Sequence, residues 1–217
     1  MAQIEVSALP FLPERISLGS LKEAARHCQG CPLFKHATQT VFGKGRLNAR
    51  IVLVGEQPGN DEDLEGEPFV GPAGRVLNQG LADAGIERAD AYVTNVVKHF
   101  KWEARGSRRL HKKPNAREIA ACLPWLDKEL ELIRPRVLVL LGATAAQALL
   151  GRSFRVTVDR GKVLASNLAD HAVATVHPSS ILRQRTDEDR HREMDRFVED
   201  LRVVAGLIRG RRSGSGA

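Results

Sequence analysis

The segment Gly55-Glu56-Gln57-Pro58-Gly59 sets a carboxylate and an amide in a glycine- and proline-rich turn. A carboxylate held there can act as a general base or orient one, or it can simply be solvated in the turn. In His177-Pro178-Ser179-Ser180 an imidazole precedes a proline, so it can donate to a ligand or cap a helix. Cys28 and Cys31 form a CxxC pair and Cys122 is the third and last cysteine. An odd count argues against a disulfide framework, and a CxxC calls for a metal or redox role, yet three thiolates are one short of a closed four-ligand site. Between Lys101 and Lys113 six cations (Lys101, Arg105, Arg108, Arg109, Lys112, Lys113) face the single acid Glu103. With a formal net charge of +7, that concentration favours a polyanionic partner, because neutralised phosphates release counterions.

Strands and helices must position these groups. Residues 50–55 are a continuous apolar run ending in glycine, as expected of a buried parallel strand. Further strands are predicted at 91–97, 136–142 and 172–176. Helices are predicted at 72–85, at 116–133 with a kink or restart at Pro124, across Thr144–Leu150 before Gly151, and at 188–208. Ser20 and Glu23 have the spacing of a capping box, which places a short helix at 21–27 just ahead of the CxxC. The alternation implies a three-layer α/β/α fold with a central, mainly parallel, four-stranded sheet. Ligands bind beyond the carboxyl ends of such strands. That rule selects Glu56–Gly59, Lys98-His99, Gly142-Ala143-Thr144 and His177–Ser180 as one rim. Residues 1–17 are expected as a loosely ordered arm, 18–208 as one domain and 209–217 as a disordered tail. No apolar run approaches the ~20 residues that span a bilayer, and no secretory leader is evident, so the expected location is cytoplasmic.

Taken together and in order, these segments resemble the uracil-DNA glycosylase superfamily. Gly55–Gly59 is similar to its first motif, and His177–Ser180 followed by Arg183 to its second. Glu67-Pro68-Phe69-Val70-Gly71-Pro72-Ala73-Gly74 resembles the segment whose aromatic ring stacks on an extruded base. Thr94-Asn95-Val96-Val97-Lys98 resembles the strand end whose asparagine reads uracil. The resemblance implies that Gly55, Gln57, Phe69, Asn95 and His177 bind the substrate. Asn95 would pair with O4 and N3–H, His177 would donate to O2, and Glu56 would stabilise a cationic sugar. The implied partner is uracil-containing, single-stranded DNA met by a monomer, with no membrane or protein partner.

In the iron–sulfur branches of that superfamily two further cysteines join the CxxC. Cys122 matches one of them, and His99 stands where the other would be. The resemblance therefore implies a [4Fe–4S] cluster held by Cys28, Cys31, His99 and Cys122; zinc on the same ligands and unligated cysteines are the alternatives. Ser107-Arg108-Arg109-Leu110-His111 resembles the lysine-arginine-arginine-isoleucine-histidine loop of the UdgX type, with Ser107 for lysine and Leu110 for isoleucine. It implies that His111 captures C1′ of the sugar after uracil leaves and keeps the DNA attached, while Arg108, Arg109 and Arg183 contact DNA. Ordinary hydrolytic turnover, and uracil or abasic-site binding without chemistry, are the competing readings.

Overall fold

The computed structural model describes residues 6–209. Its elements run α1 (Leu18–Ala25), β1 (Ile51–Gly55), α2 (Asn60–Glu65), α3 (Pro72–Asp83), β2 (Ala91–Asn95), β3 (Trp102–Arg105), β4 (Arg108–His111), α4 (Ala116–Ile133), β5 (Val137–Leu141), α5 (Ala143–Leu150), α6 (Val156–Asp159), β6 (Val163–Leu164), β7 (His171–Thr175), α7 (Pro178–Leu182) and α8 (Asp187–Arg209).

β1 pairs in parallel with β2 on one side and β5 on the other, and β5 pairs in parallel with β7. Alternation along β1 builds both cores: Val52 and Val54 face α1, α4 and α5, while Ile51 and Leu53 face α3, α7 and α8. The architecture is the expected three-layer α/β/α arrangement around a mainly parallel sheet. The expected strand number is corrected from four to five, in the order β2-β1-β5-β7-β6. The fifth, β6, has only two residues and lies antiparallel on the β7 edge, too short to leave a periodic signal.

Other boundaries moved for identifiable reasons. Ser17, not Ser20, caps α1: its hydroxyl accepts from Ser20 N, and Ser20 Oγ accepts from Ser17 N in return. Pro124 neither breaks nor restarts α4, which runs through it. β2 stops at Asn95 because Val96 N and Val97 N turn to donate to Gly55 O and Glu56 O. That wrap ties the end of β2 to the turn after β1. From the expected N-terminal arm, Ala8 is buried and its N–H donates to Ala121 O in α4. Residues 210–217 of the expected tail lie outside the described residues. No described helix is long and apolar enough to cross a membrane.

The cation-rich segment expected as an irregular insertion is a β-hairpin. β3 and β4 pair antiparallel, Trp102 opposite His111 and Arg105 opposite Arg108. A two-residue turn of this geometry needs a positive φ at its first position, and Gly106 supplies φ 60°. Ser107 is the other turn residue and is exposed.

Candidate active site

Beyond the carboxyl ends of β1, β2, β5 and β7 lies a cavity of about 820 Å³, in the size range of nucleotide-sized ligands. Glu56, Gln57, Phe69, Asn95, His111, Thr144, His177 and Arg183 are all in its wall. A second depression of about 860 Å³ lies around Arg134, Pro135 and Asp170, at the amino ends of β5 and β7, and contains none of the expected site residues. The topology rule therefore chooses between the two, and favours the strand-end cavity.

Gly55, Phe69 and Asn95 pack closely at one side of that cavity. A Cβ placed on Gly55 would stand 2.4 Å from Asn95 Oδ1 and 2.8 Å from Phe69 Cζ, so only glycine there lets both side chains close against the end of the strand. Phe69 adopts φ 58°, a strained conformation for an aromatic residue, and its ring lies 5.9 Å from the His177 ring at an interplanar angle of 30°. Asn95 is 2% exposed, and its Oδ1 has no hydrogen-bond partner among the described residues. A buried acceptor without a donor is costly, and a ligand N–H entering the cavity would relieve that cost.

Beneath Asn95 lies a network that sequence reading missed. Lys98 and Glu129, both fully buried, form a 2.5 Å ion pair. Glu129 also accepts from Tyr92 Oη at 2.7 Å, Thr94 Oγ1 at 3.0 Å and Gly43 N at 3.1 Å. Lys98 Nζ donates as well to Thr94 Oγ1 at 2.6 Å and to Asn95 O at 2.8 Å. Saturation of this kind is what makes a buried pair tolerable, and here it fixes the backbone that carries Asn95. A lone glutamate in an amphipathic helix gave no sequence signal of such a partnership.

His177 caps α7, with Nδ1 accepting from Ser179 N at 3.2 Å, so the ring proton of the neutral form resides on Nε2. Burial, helped by Arg183 and His111, lowers its pKa to about 4 and keeps the ring neutral. Glu56, one-fifth exposed, accepts a short hydrogen bond from Thr144 Oγ1 on Oε2, while its Oε1 stands 3.7 Å from His111 Nε2.

The hairpin delivers His111. Gln57 is buried, its Oε1 accepts from Lys101 N at 3.1 Å, and its Nε2 reaches Lys101 O at 3.2 Å, Lys112 O at 3.1 Å and His111 Nε2 at 2.9 Å. Both ends of the hairpin are therefore stitched to the turn after β1. Half of the His111 side chain is exposed. Even so, partial burial lowers its pKa; Glu56 pulls it back up and Arg183 pushes it down again. The ring is therefore neutral at neutral pH.

Of the arginines expected to meet DNA, Arg108 and Arg183 are exposed. Arg109 turns inward instead. Its guanidinium donates to Asp63 Oδ2 at 2.6 Å, Asn60 Oδ1 at 2.8 Å and Thr38 Oγ1 at 3.1 Å, and lies over the Phe100 and Trp102 rings. Asp63, fully buried, also accepts from Thr38 N. In this position Arg109 clamps the hairpin to α2.

The three cysteines are buried and lie near enough to interact electrostatically. Trp125 Nε1 donates to Cys28 Sγ at 3.3 Å and Lys98 N to Cys122 Sγ at 3.2 Å, the polarity that thiolate ligands need. Thr40 spends its hydroxyl hydrogen on Ala25 O at 2.8 Å, so at 3.0 Å it accepts from His99 Nε2 and leaves Nδ1 as the lone-pair nitrogen. Donor chemistry and tautomer therefore suit a soft metal centre, although no set of three or more metal-ligating side chains is closed among the described residues.

Residues 42–202 match the family model described as the uracil DNA glycosylase superfamily. The chain is 40% identical over 190 residues to a type-4 uracil-DNA glycosylase of Thermotoga maritima, covering 87% of this chain and 93% of that protein. A type-4 uracil-DNA glycosylase of Pyrobaculum aerophilum is 36% identical over 176 residues, 78% of this chain and 86% of that one. A type-5 uracil-DNA glycosylase of the same organism is 31% identical over 139 residues, 55% of this chain and 58% of its own length.

Proposed function

The chain belongs to the uracil-DNA glycosylase superfamily, and from that premise we propose that it excises uracil from DNA and then binds covalently to the abasic sugar through His111. A base inside a duplex is out of reach, so the nucleotide is extruded, or offered single-stranded, and its ring enters the cavity beside Phe69 and Asn95. Asn95 Oδ1 receives N3–H and its amide donates to O4. Cytosine presents the reverse pattern, leaving Oδ1 facing a lone pair. As the N1–C1′ bond breaks, its electron pair departs with the uracil, and His177 Nε2–H donates to the charge growing on O2. Glu56 faces the sugar while it carries positive character.

The imidazole of His111 then donates its lone pair to C1′, forming a C–N bond, and loses the ring proton to Glu56 or solvent. An N-alkyl imidazole is a poor leaving group, so the adduct persists and each molecule acts about once. Arg108 and Arg183 contact phosphate. The UdgX-type reading is carried by one observation: the His111 imidazole lies in the same cavity wall as Glu56, 3.7 Å from its carboxylate.

Cys28, Cys31, His99 and Cys122 would hold a [4Fe–4S] cluster. When bound it would join the CxxC segment, the strand end after β2 and α4; no catalytic step passes through it. These side chains fall within residues 18–208, which we take as the catalytic domain, acting as a monomer.

Hydrolytic turnover is the competing reading, supported by the similarity to proteins named type-4 uracil-DNA glycosylases. Wild type and His111→Ala, mixed with uracil-containing single-stranded DNA and run on a denaturing gel, separate the two. A heat- and SDS-resistant band in wild type alone supports capture. Free abasic product exceeding wild-type enzyme, with no retained band, supports turnover and overturns capture. Absence of uracil release even at excess enzyme overturns both.

A further inference from the structure

Glu56 stands at a strand end with room to rotate, yet the cavity presents only one of its oxygens to His111. Oε1 lies 3.7 Å from the imidazole, while Oε2 accepts from Thr144 Oγ1 at the start of α5. Thr144 is 6% exposed, and its branched side chain has few rotamers available. Its hydroxyl does not cap its own helix, whose N-cap Gly142 has no side chain to do so. The backbones on both sides are fixed as well. Gly142 N donates to Thr175 O, and Val97 N donates to Glu56 O. The open first turn of α5 adds a field that favours a carboxylate in that place. Thr144, Gly142 and Ala143 line the cavity beside Glu56, so the helix start forms one of its walls.

We propose that Thr144 is a positioning residue for the capture step: by holding one oxygen of Glu56 it aims the other at His111, and so directs the sugar to imidazole rather than to water. This inference rests on the capture reading above. Charge stabilisation of a cationic sugar declines gently with distance, whereas attack on C1′ requires the nucleophile near 3–3.5 Å and aligned, so capture is the step more sensitive to a loose carboxylate. Once released, Glu56 can turn into the cavity and accept a proton from water as the water oxygen bonds to C1′. The product is then a free abasic site.

The test measures the ratio of cross-linked to free abasic product, normalised to total uracil released, with enzyme in excess over a uracil-containing single-stranded oligonucleotide. Thr144→Val keeps the shape and removes the donor, and its ratio is expected to fall about tenfold. Thr144→Ser keeps the donor and is expected to restore the ratio to within about twofold, with Thr144→Ala as the hydroxyl-free partner if valine disturbs folding. In a Glu56→Ala background the valine change is expected to have no further effect. A wild-type ratio in both Val and Ala variants overturns the inference. So does failure of serine to rescue, or an equal loss in the Glu56→Ala background, which marks a merely structural role. A wild type that forms no adduct overturns the capture reading and this inference with it, whereas a trapping wild type with a trapping valine variant overturns this inference alone.

Discussion

Gly55→Ala tests the packing that positions Asn95 and Phe69. The new Cβ would lie 2.4 Å from Asn95 Oδ1 and 2.8 Å from Phe69 Cζ, inside the 3.0 Å that real Cβ contacts respect. The strand cannot yield. Gly55 ends β1, paired with Asn95 on β2, and its carbonyl is taken by Val96 N. The side chains must give, and Asn95 Oδ1, the atom proposed to meet N3–H, shifts by about 0.6 Å. Displacements near an ångström in positioning groups cost about 100-fold, and that is the expected fall in single-turnover uracil release. Overpacking is expected to cost about 1–3 kcal/mol of stability, leaving the fold intact by circular dichroism. Gly206→Ala is the control: it sits exposed on α8 with nothing within 4 Å of a new Cβ, and is expected to leave excision unchanged. Single-turnover rates on a uracil oligonucleotide with excess enzyme give the answer. A Gly55→Ala enzyme within about threefold of wild type would show that uracil reading does not depend on this packing.

Other substitutions and conditions probe the remaining parts. Arg109→Ala removes the guanidinium paired with buried Asp63 in the hairpin clamp, so stability is expected to fall by about 3 kcal/mol and adduct formation more steeply than uracil release; equal losses in both would contradict the clamp. Because burial lowers the His111 pKa, protonation that would quench the nucleophile sets in only below its ordinary 6.5, so the adduct rate is expected to hold from pH 8 to that value and decline in more acid solution. Removing the opposing charge in Arg183→Gln is expected to move that acid limb upward; a limb already above pH 6.5 in wild type, or unmoved in the variant, contradicts the assignment. Protein purified without oxygen is expected to be brown and to contain iron and sulfide. Thr40→Val, which frees the His99 tautomer, is expected to lower the iron retained, and colourless protein with stoichiometric zinc would contradict the cluster.

Much of this geometry was legible because the parallel strands are buried on both faces and read as apolar runs, which places the carboxyl ends of β1, β5 and β7 to within a residue. Glu56, Thr144 and His177 were thereby gathered on one rim, whereas Asn95 came from the family resemblance and Lys98 and His99, placed on the rim, lie buried outside the cavity wall. β6 was illegible at two residues, and the β3–β4 hairpin was hidden because its cations mask any alternation. Ser107, which stands where the loop it resembles has a lysine, lies in the turn between β3 and β4. The direction of Arg109 could not be read either, since only the fold brings Asp63 and Asn60 beneath it. The same holds for Thr144, Thr40 and Glu129, whose roles depend on partners 88, 59 and 31 residues away. Such pairings leave no local pattern.

The most direct measurement is peptide mapping by mass spectrometry after wild-type protein has reacted with uracil-containing DNA and the DNA has been trimmed by nuclease. The expected result is deoxyribose phosphate mass on the peptide containing His111, with fragment ions locating it on that side chain. An unmodified His111 peptide alongside complete uracil release, or the mass on a different residue, would contradict capture by this imidazole.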